Sequence, residues 1–445
     1  MLDGRPSEET QILSVIDRAA ISPLQFRVFA IGALASVLDG LDIQLVAFVL
    51  PSLLREWSLA GSQLTWLIAA GLVGMGVGAG VGGALGDRFG RKPVLLASVA
   101  IFAAFTLAVT LAADVTQLTI LRFATGLGLG AAFPNITALA AEYAPDRARS
   151  VVVAILMCCT PLGGVLGALL SASLLGEVGW RGMFAIGGAV PLLSLLVMFT
   201  LPESIGFLAK AGRREAAERL LTRVAGRAVQ LTAIVDRAAK QSSLTQLLAP
   251  GLRRDTLAFW VCCFGSLYCV YSFFSWTPTI LQGAGLSQRD AALGTMLFNL
   301  GGVIGALVSA ALCRRYGSRL VLRAVAAIGV AAGIVLAVQS GGVATTAAGL
   351  VFLGAAVNAT QVGLFVLGAY VYPTACRAAG IGFGLGVGRV GAILSAVGGG
   401  QLVMATGGAA AYFLISAAFL TVIVVALSVV RRHVPPQLRA ASAAE

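Results

Sequence analysis

Apolar residues in this chain run in blocks of twenty or more, each closed by a short polar stretch, from residue 26 to residue 430. A helix crossing the hydrocarbon core of a bilayer needs about 20 mostly apolar residues. Lipid cannot hydrogen-bond a bare backbone N–H, so each block is expected to be a helix. Twelve spans are predicted: 26–50, 64–85, 94–113, 118–141, 151–175, 182–201, 256–281, 291–312, 320–339, 344–370, 379–403 and 409–430. Residues 202–254 depart from the pattern. Their stretch AKAGRREAAERLLTRVAGRAVQLTAIVDRAAKQSSLTQLL is charged and helical in period, as expected of amphipathic helices on a membrane surface. The predicted organisation is a tail (1–25), a six-helix bundle (26–201), a cytoplasmic linker (202–254), a second six-helix bundle (255–430) and a tail (431–445).

Composition agrees. The 445 residues are 58% hydrophobic and 11% charged, with a mean hydropathy of +0.93. A soluble domain is nearer half apolar and a quarter charged, so a soluble multidomain protein is excluded. The 55 glycines suit close packing of helices in lipid. The net charge of +12 would suit nucleic acid, but its placement argues for topology. Arg88, Arg91, Lys92, Arg147, Arg149, Arg314, Arg315, Arg319, Arg323, Arg377, Arg431, Arg432 and the bases of 202–254 all fall on one side of the predicted spans. The other side holds Arg55, Arg181 and Arg289. Basic loops stay inside, so both termini are expected in the cytoplasm, and no nucleic-acid partner is expected. The first twenty residues are polar, and the first span is expected to act as the insertion signal. Seven cysteines show no metal-ligand spacing and are expected to be buried free thiols. No metal or cofactor is expected. No nucleotide loop or catalytic triad is present, so the chain is not expected to be an enzyme.

The two halves resemble each other. RFGRK (Arg88–Lys92) aligns with RYGSR (Arg315–Arg319), and APDRAR (Ala144–Arg149) with YPTACR (Tyr372–Arg377). The offsets are 227 and 228 residues (315 less 88, 372 less 144). Two similar six-helix halves fit a protein that rocks about a central site. Subtracting the offset places Asp39 and Asp42 near Leu267 and Val270, Arg389 near Pro161, and Arg122 near Leu350. The scaffold repeats, but the charges inside it do not, which makes those charges candidates for chemistry.

Asp39, Asp42, Glu142, Arg122 and Arg389 lie in or at the edge of apolar blocks. Each charge at a helix centre costs about 2.5–3.5 kcal/mol, so they are expected to face a hydrated cleft or one another. Arg389 lies half-way along its span. Its planar fork fits a carboxylate in two hydrogen bonds and does not deprotonate. It is expected either to anchor an anionic substrate or to serve as counter-ion to Asp39 or Asp42. The two aspartates are three residues apart and share a helix face. Close carboxylates in a low dielectric favour sharing a proton. The only histidine, His433, is in the tail, so carboxylates remain as proton carriers. The alternative for the pair is a hydrogen-bonding role at an unwound Gly40. Arg122 is placed to relay charge to the aspartates; Glu142 is 20 residues away on the same predicted helix, or about 30 Å. Glu142 is a candidate for proton coupling, or for a gate ion pair near Arg147 and Arg149. Tyr268 and Tyr271, in FWVCCFGSLYCVYSFFSW (259–276), are expected to stack on a substrate ring or to pack helices. Trp276 suits the interfacial belt. Phe133, Asn135, Asn358 and Gln361 are further pocket candidates, with interhelical hydrogen bonding as the alternative for the amides.

GALGDRFGRK (Gly83–Lys92) resembles the cytoplasmic loop signature of the major facilitator superfamily, and RFATGLGLGAAFPN (Arg122–Asn135) its fourth-helix motif. Asp39-Gly40-Leu-Asp42 with Gln44, PLGGVLGALL (Pro161–Leu170), LPES (Leu201–Ser204) and YPTACRAAGIGFGLGVGRVGAI (Tyr372–Ile393) resemble the superfamily's aromatic acid:proton symporters. The resemblance covers essentially the whole chain. It implies an all-α major facilitator fold in a bacterial inner membrane, and a monomer importing a benzoate-like anion with protons. Proton coupling would fall to Asp39, Asp42, Glu142 and Arg122. Substrate binding would fall to Arg389, Gln361, Asn358, Asn135, Phe133, Tyr268, Tyr271 and Gln44. Gating would fall to Gly83, Asp87, Arg88, Gly90, Arg91, Lys92 and Arg149, with Asp87 bridging to Arg149 or to span 11. Arg314 stands where a second copy of Asp87 would be, which weakens a symmetric gate. A symporter of non-aromatic organic anions and a proton-driven exporter are the alternatives.

Overall fold

The computed structural model describes residues 12, 14–17, 19–58, 61–231, 244–338, 343–373, 376–406 and 408–436. Residues 232–243 of the linker and the outer parts of both tails lie outside the described residues. Among the described residues from 23 onward, fourteen α-helices follow in order: α1 Pro23–Trp57, α2 Gly61–Phe89, α3 Arg91–Ala108, α4 Val115–Tyr143, α5 Asp146–Met198, α6 Ile205–Lys210, α7 Arg214–Ala225, α8 Leu244–Leu247, α9 Arg253–Gly283, α10 Gln288–Tyr316, α11 Ser318–Val338, α12 Val343–Val371, α13 Arg377–Thr406 and α14 Ala409–Val429.

Eleven of these are long and apolar enough to cross a membrane. The twelfth crossing is inside α5, whose 53 residues carry both the fifth and the sixth predicted spans. Gly179 breaks α5 with φ 66° and ψ −178°, a conformation open to glycine. Both ends of α5 therefore reach the face on which the described chain begins and ends (the termini side): Asp17 accepts from the Asp146 backbone amide, Arg149 reaches the Ala141 carbonyl, and Lys92 donates to the Phe199 carbonyl. Helix starts are capped locally. Ser22 and Gln25 form a reciprocal capping box at α1, and Asp114 and Ser287 cap α4 and α10. In the linker, α7 buries Ala217, Leu221 and Val224 along one side.

The repeat is visible in the packing. In the first half α1 packs on α5, and α2 and α3 on α4. In the second, α9 packs on α13, and α10 and α11 on α12. A Cβ on Gly74 or Gly78 of α2 would strike the Phe123 or Leu127 backbone of α4. The same holds 227–228 residues on, where Gly301 and Gly305 meet Val351 and Ala355. The halves meet along α5–α10 and α2–α13, with α1 also against α9.

The α1 helix runs unbroken through Gly40, so the unwinding on which the alternative role for the aspartates depends does not occur. Gly40 is needed for closeness instead: a Cβ there would collide with the Thr160 backbone carbonyl of α5.

Candidate functional site

The glycine contact at Gly40 draws α1 against α5, and Asp39 and Asp42 flank it on one long buried helix. Asp42 is fully buried, and both of its oxygens are used. Arg122 of α4 donates to Oδ2 at 3.0 Å, and Thr106 of α3 donates to Oδ1 at 2.8 Å. The Arg122 guanidinium also lies 6.0 Å from the Phe184 ring centroid. A buried ion pair whose carboxylate has both oxygens hydrogen-bonded holds its members in one geometry.

Asp39 is also buried, but its Oδ1 has no hydrogen-bond partner. Two charges act on it: Arg389 from the other half, and Asp42 one turn away. Arg389 of α13 makes no ion pair with either aspartate. It donates from Nη1 to the Tyr271 hydroxyl of α9 at 2.7 Å, with its guanidinium 5.4 Å from that ring's centroid. Tyr271 in turn feels the charges of both Arg389 and Asp39. The constellation thus spans the two halves: a carboxyl lacking a partner on α1, a phenol on α9 and a guanidinium on α13 whose other N–H groups have no acidic partner. An orphaned carboxyl within the field of an under-used guanidinium can take a proton at one end and a carboxylate at the other. Phe133 lines a crevice with Asp39, Leu38 and Phe102 on the first-half side of this cluster.

Several residues expected in a pocket are used elsewhere. Asn135 donates to the Gly82 and Ala131 carbonyls, so one amide proton ties α4 to α2 and the other stays within α4. Asn358 donates to the Gly354 carbonyl and presses on Gly302 of α10. Tyr268 stacks on Phe419 at 4.0 Å between centroids, facing α14. Gln361 accepts from Ser266 at 2.7 Å, and its amide nitrogen has no hydrogen bond among the described residues. Gln44 forms a reciprocal amide pair with Asn299 of α10, at 3.1 and 2.8 Å, both fully buried. It ties the halves together. Trp276 is buried, not interfacial.

The gating residues gather at the termini-side end of the first half. Glu142 pairs with Arg91 at 3.1 Å and accepts from Ser204 at 2.5 Å, not with Arg147 or Arg149. Arg149 pairs with Asp146 at 2.6 Å. Asp87 is 3.6 Å from Arg91, across the break between α2 and α3, and bridges neither to Arg149 nor to α13. Glu203 accepts from the Arg91 and Lys92 backbone amides at 2.9 and 3.1 Å, a carboxylate at the N-terminus of α3 where the helix dipole favours it. Gly90, at φ 100°, leaves the space that Glu203 fills. Arg88 lies 5.2 Å from the Phe89 ring, and Gly83 has open space around it.

Sequence reasoning gave no role to Thr106, Asn299 or Glu203. Thr106 and Asn299 were visible as polar residues inside apolar blocks, and Glu203 as an acid directly after the sixth span.

A profile of the Major Facilitator Superfamily matches residues 32–396. The 4-hydroxybenzoate transporter PcaK of Pseudomonas putida is 35% identical over 399 residues, covering 88% of this chain and 89% of that protein. A gallate transporter of Pseudomonas putida is 34% identical, covering 87% and 88%. The 3-(3-hydroxy-phenyl)propionate transporter of Escherichia coli is 31% identical, covering 83% and 85%. Among solved structures, the partially occluded inward-open xylose transporter XylE of E. coli superposes with a TM-score of 0.73 at 18% identity. The match covers 91% of this chain and 97% of that one.

Proposed function

The chain belongs to the Major Facilitator Superfamily, and on that premise we propose that it imports an aromatic carboxylate by proton symport, as a transporter and not an enzyme. One observation carries the reading: Asp39 has a buried oxygen without a partner, and it feels the charge of an Arg389 held only by a phenol. Asp39 takes the proton, because Asp42 is committed to Arg122 and Thr106. The substrate carboxylate takes Arg389, in exchange for or alongside the Tyr271 hydroxyl. The ring lies against the aromatic and apolar walls supplied by Tyr271 and Phe133. The transporter relatives named above act on benzoates and phenylpropionates, which supports an aromatic anion.

On this reading both termini are cytoplasmic in a bacterial inner membrane, supported by the one-sided arginines, and a single chain is the working unit. Alternating access moves one half against the other. The Arg91–Glu142–Glu203 cluster keeps the first half rigid as it moves.

The test is uptake of labelled 4-hydroxybenzoate and of muconate into vesicles with an imposed inward proton gradient. Accumulation of 4-hydroxybenzoate that collapses with a protonophore is expected. Gradient-driven uptake of muconate alone would replace the substrate with a non-aromatic anion. Expulsion of 4-hydroxybenzoate against the gradient would make the chain an exporter.

A further inference from the structure

The repeat that aligns the two halves also aligns their termini-side corners, and there the charges invert. In the first half Asp87 and Glu142 both pair with the Arg91 guanidinium, and Glu203 accepts from the Arg91 and Lys92 backbone amides. At the same offsets (87 plus 227, 142 plus 228, 203 plus 228) the second half has Arg314, Tyr370 and Arg431. All three acids are gone.

The structure brings the replacement charges together. Ser318 donates its backbone N–H to the Val434 carbonyl at 3.1 Å, and the Val434 N–H donates to Ser318 Oγ at 2.9 Å. This seats the segment after α14 on the α10–α11 turn, at Gly317 with φ 85°. His433 lies 3.3 Å from Ser318 Oγ and feels Arg319 and Arg323. Arg432 donates to the Val371 carbonyl at the end of α12. Arg314, Arg315, Arg319, Arg323, Arg431 and Arg432 therefore share one corner. Its buried acid, Asp255, spends its oxygens on the Arg431 and Arg432 backbone amides. Among the described residues, no carboxylate pairs with any of the six guanidinium groups.

We propose that this corner binds the phosphate of an anionic phospholipid. The rule that basic loops stay inside accounts for arginines on this face. It does not account for one corner setting two carboxylates against a guanidinium while no guanidinium of its repeat has one. Exposed Leu312, Tyr316 and Leu320 alternate with exposed Arg315 and Arg319 on α10 and α11. Acyl chains thus have an apolar surface directly beside the cationic one, which free phosphate does not need. Arginine suits phosphate because its planar donors pair with two oxygens.

The experiment uses the full chain, delipidated and titrated with phosphatidylglycerol or phosphatidylcholine in nanodiscs or mixed micelles, read by native mass spectrometry. Wild type is expected to retain phosphatidylglycerol over phosphatidylcholine by tenfold or more, with the preference fading in high salt. At about fivefold per arginine near a charged headgroup, Arg319→Gln with Arg323→Gln is expected to lower that affinity by about 25-fold. Arg431→Glu, which restores the first half's charge, is expected to lower it at least fivefold and serves as the second variant. Arg88→Gln, in the first half's corner beside Asp87 and Glu142, is expected to change it less than twofold. Equal retention of the two lipids, an unchanged preference in the second-half variants, or displacement of the lipid by millimolar inorganic phosphate would overturn the proposal.

Discussion

Replacing each span-1 aspartate by asparagine separates the two carboxylates by what surrounds them. Asp42→Asn keeps the shape but leaves Arg122 charged and buried, where only about 6% of its side chain is exposed. Breaking a buried pair by removing one partner costs about 3–5 kcal/mol. The Thr106 hydrogen bond, worth about 1.5–3 kcal/mol to a charged acceptor, weakens as well. Asp39→Asn removes a carboxyl whose Oδ1 has no partner, so the expected change is within about 1 kcal/mol of zero. Thermal or denaturant unfolding of purified protein should therefore rank Asp42→Asn far below Asp39→Asn. Adding Arg122→Gln to Asp42→Asn should recover part of the loss, because the two sites share one interaction. Transport should divide differently: Asp39→Asn stays folded and exchanges substrate across the membrane, but loses uphill, pH-dependent accumulation. Equal destabilisation by the two single variants would refute the assignment of Asp42 as the paired group. Gradient-driven accumulation by Asp39→Asn at wild-type pH dependence would refute Asp39 as the carrier.

Arg389→Lys should raise the KM for the carboxylate about tenfold or more, since an ammonium cannot supply two parallel donors and a charged hydrogen bond is worth about 1.5–3 kcal/mol; an unchanged KM would remove its role. The tail clasp should depend on pH. Burial, reinforced by Arg319 and Arg323, holds the His433 imidazole below its ordinary value of 6.5. A depressed folded value means the clasp is fully stabilised above the unfolded pKa and weakens as pH falls through the folded one. Exchange of the Val434 amide, corrected for intrinsic rate, should therefore quicken on acidification below pH ~6.5, and His433→Gln should flatten that dependence. An uncorrelated exchange rate would show that the ring does not hold the clasp.

The halves, the twelve crossings and the in-membrane charges were legible because each is a one-dimensional signal. The apolar block length set the spans, and the 227–228 offset anticipated which glycines meet which helices. Single charges such as Asp39 and Arg389 stood out against lipid-like surroundings. Side-chain direction was not legible. In helices apolar on every face, such as α4, α9 and α12, a polar residue can point to a cleft or to a neighbour with the same spacing. Asn135, Asn358 and Tyr268 point to neighbours for that reason. The partner of Glu142 was missed because helix order around a bundle is not written in the sequence: Arg91, 51 residues away, is nearer than Arg147. The merged fifth and sixth spans turned on Gly179, one glycine among 55.

The contacts also divide by which of them rocking can change. Asp42, Arg122 and Thr106 belong to one half and move as one body, so their pairing survives any rigid rotation of the bundles. Asp39 with Arg389 and Tyr271, and Gln44 with Asn299, belong to different halves, so the proposed alternating access would remake them in each cycle. Gln44 and Asn299 are joined by two neutral hydrogen bonds in a dry setting, each worth about 0.5–1.5 kcal/mol net. Truncating either to alanine strands the other amide, at about 1–3 kcal/mol. Truncating both should cost less than the sum, with a coupling of about 1–2 kcal/mol. If the pair holds the halves together on the side away from the termini, either single variant should increase labelling of a cysteine introduced near Arg55, whose side chain donates to Gln288 across the same interface. Labelling at wild-type rates in all three variants would show that the pair packs the halves without governing which side opens.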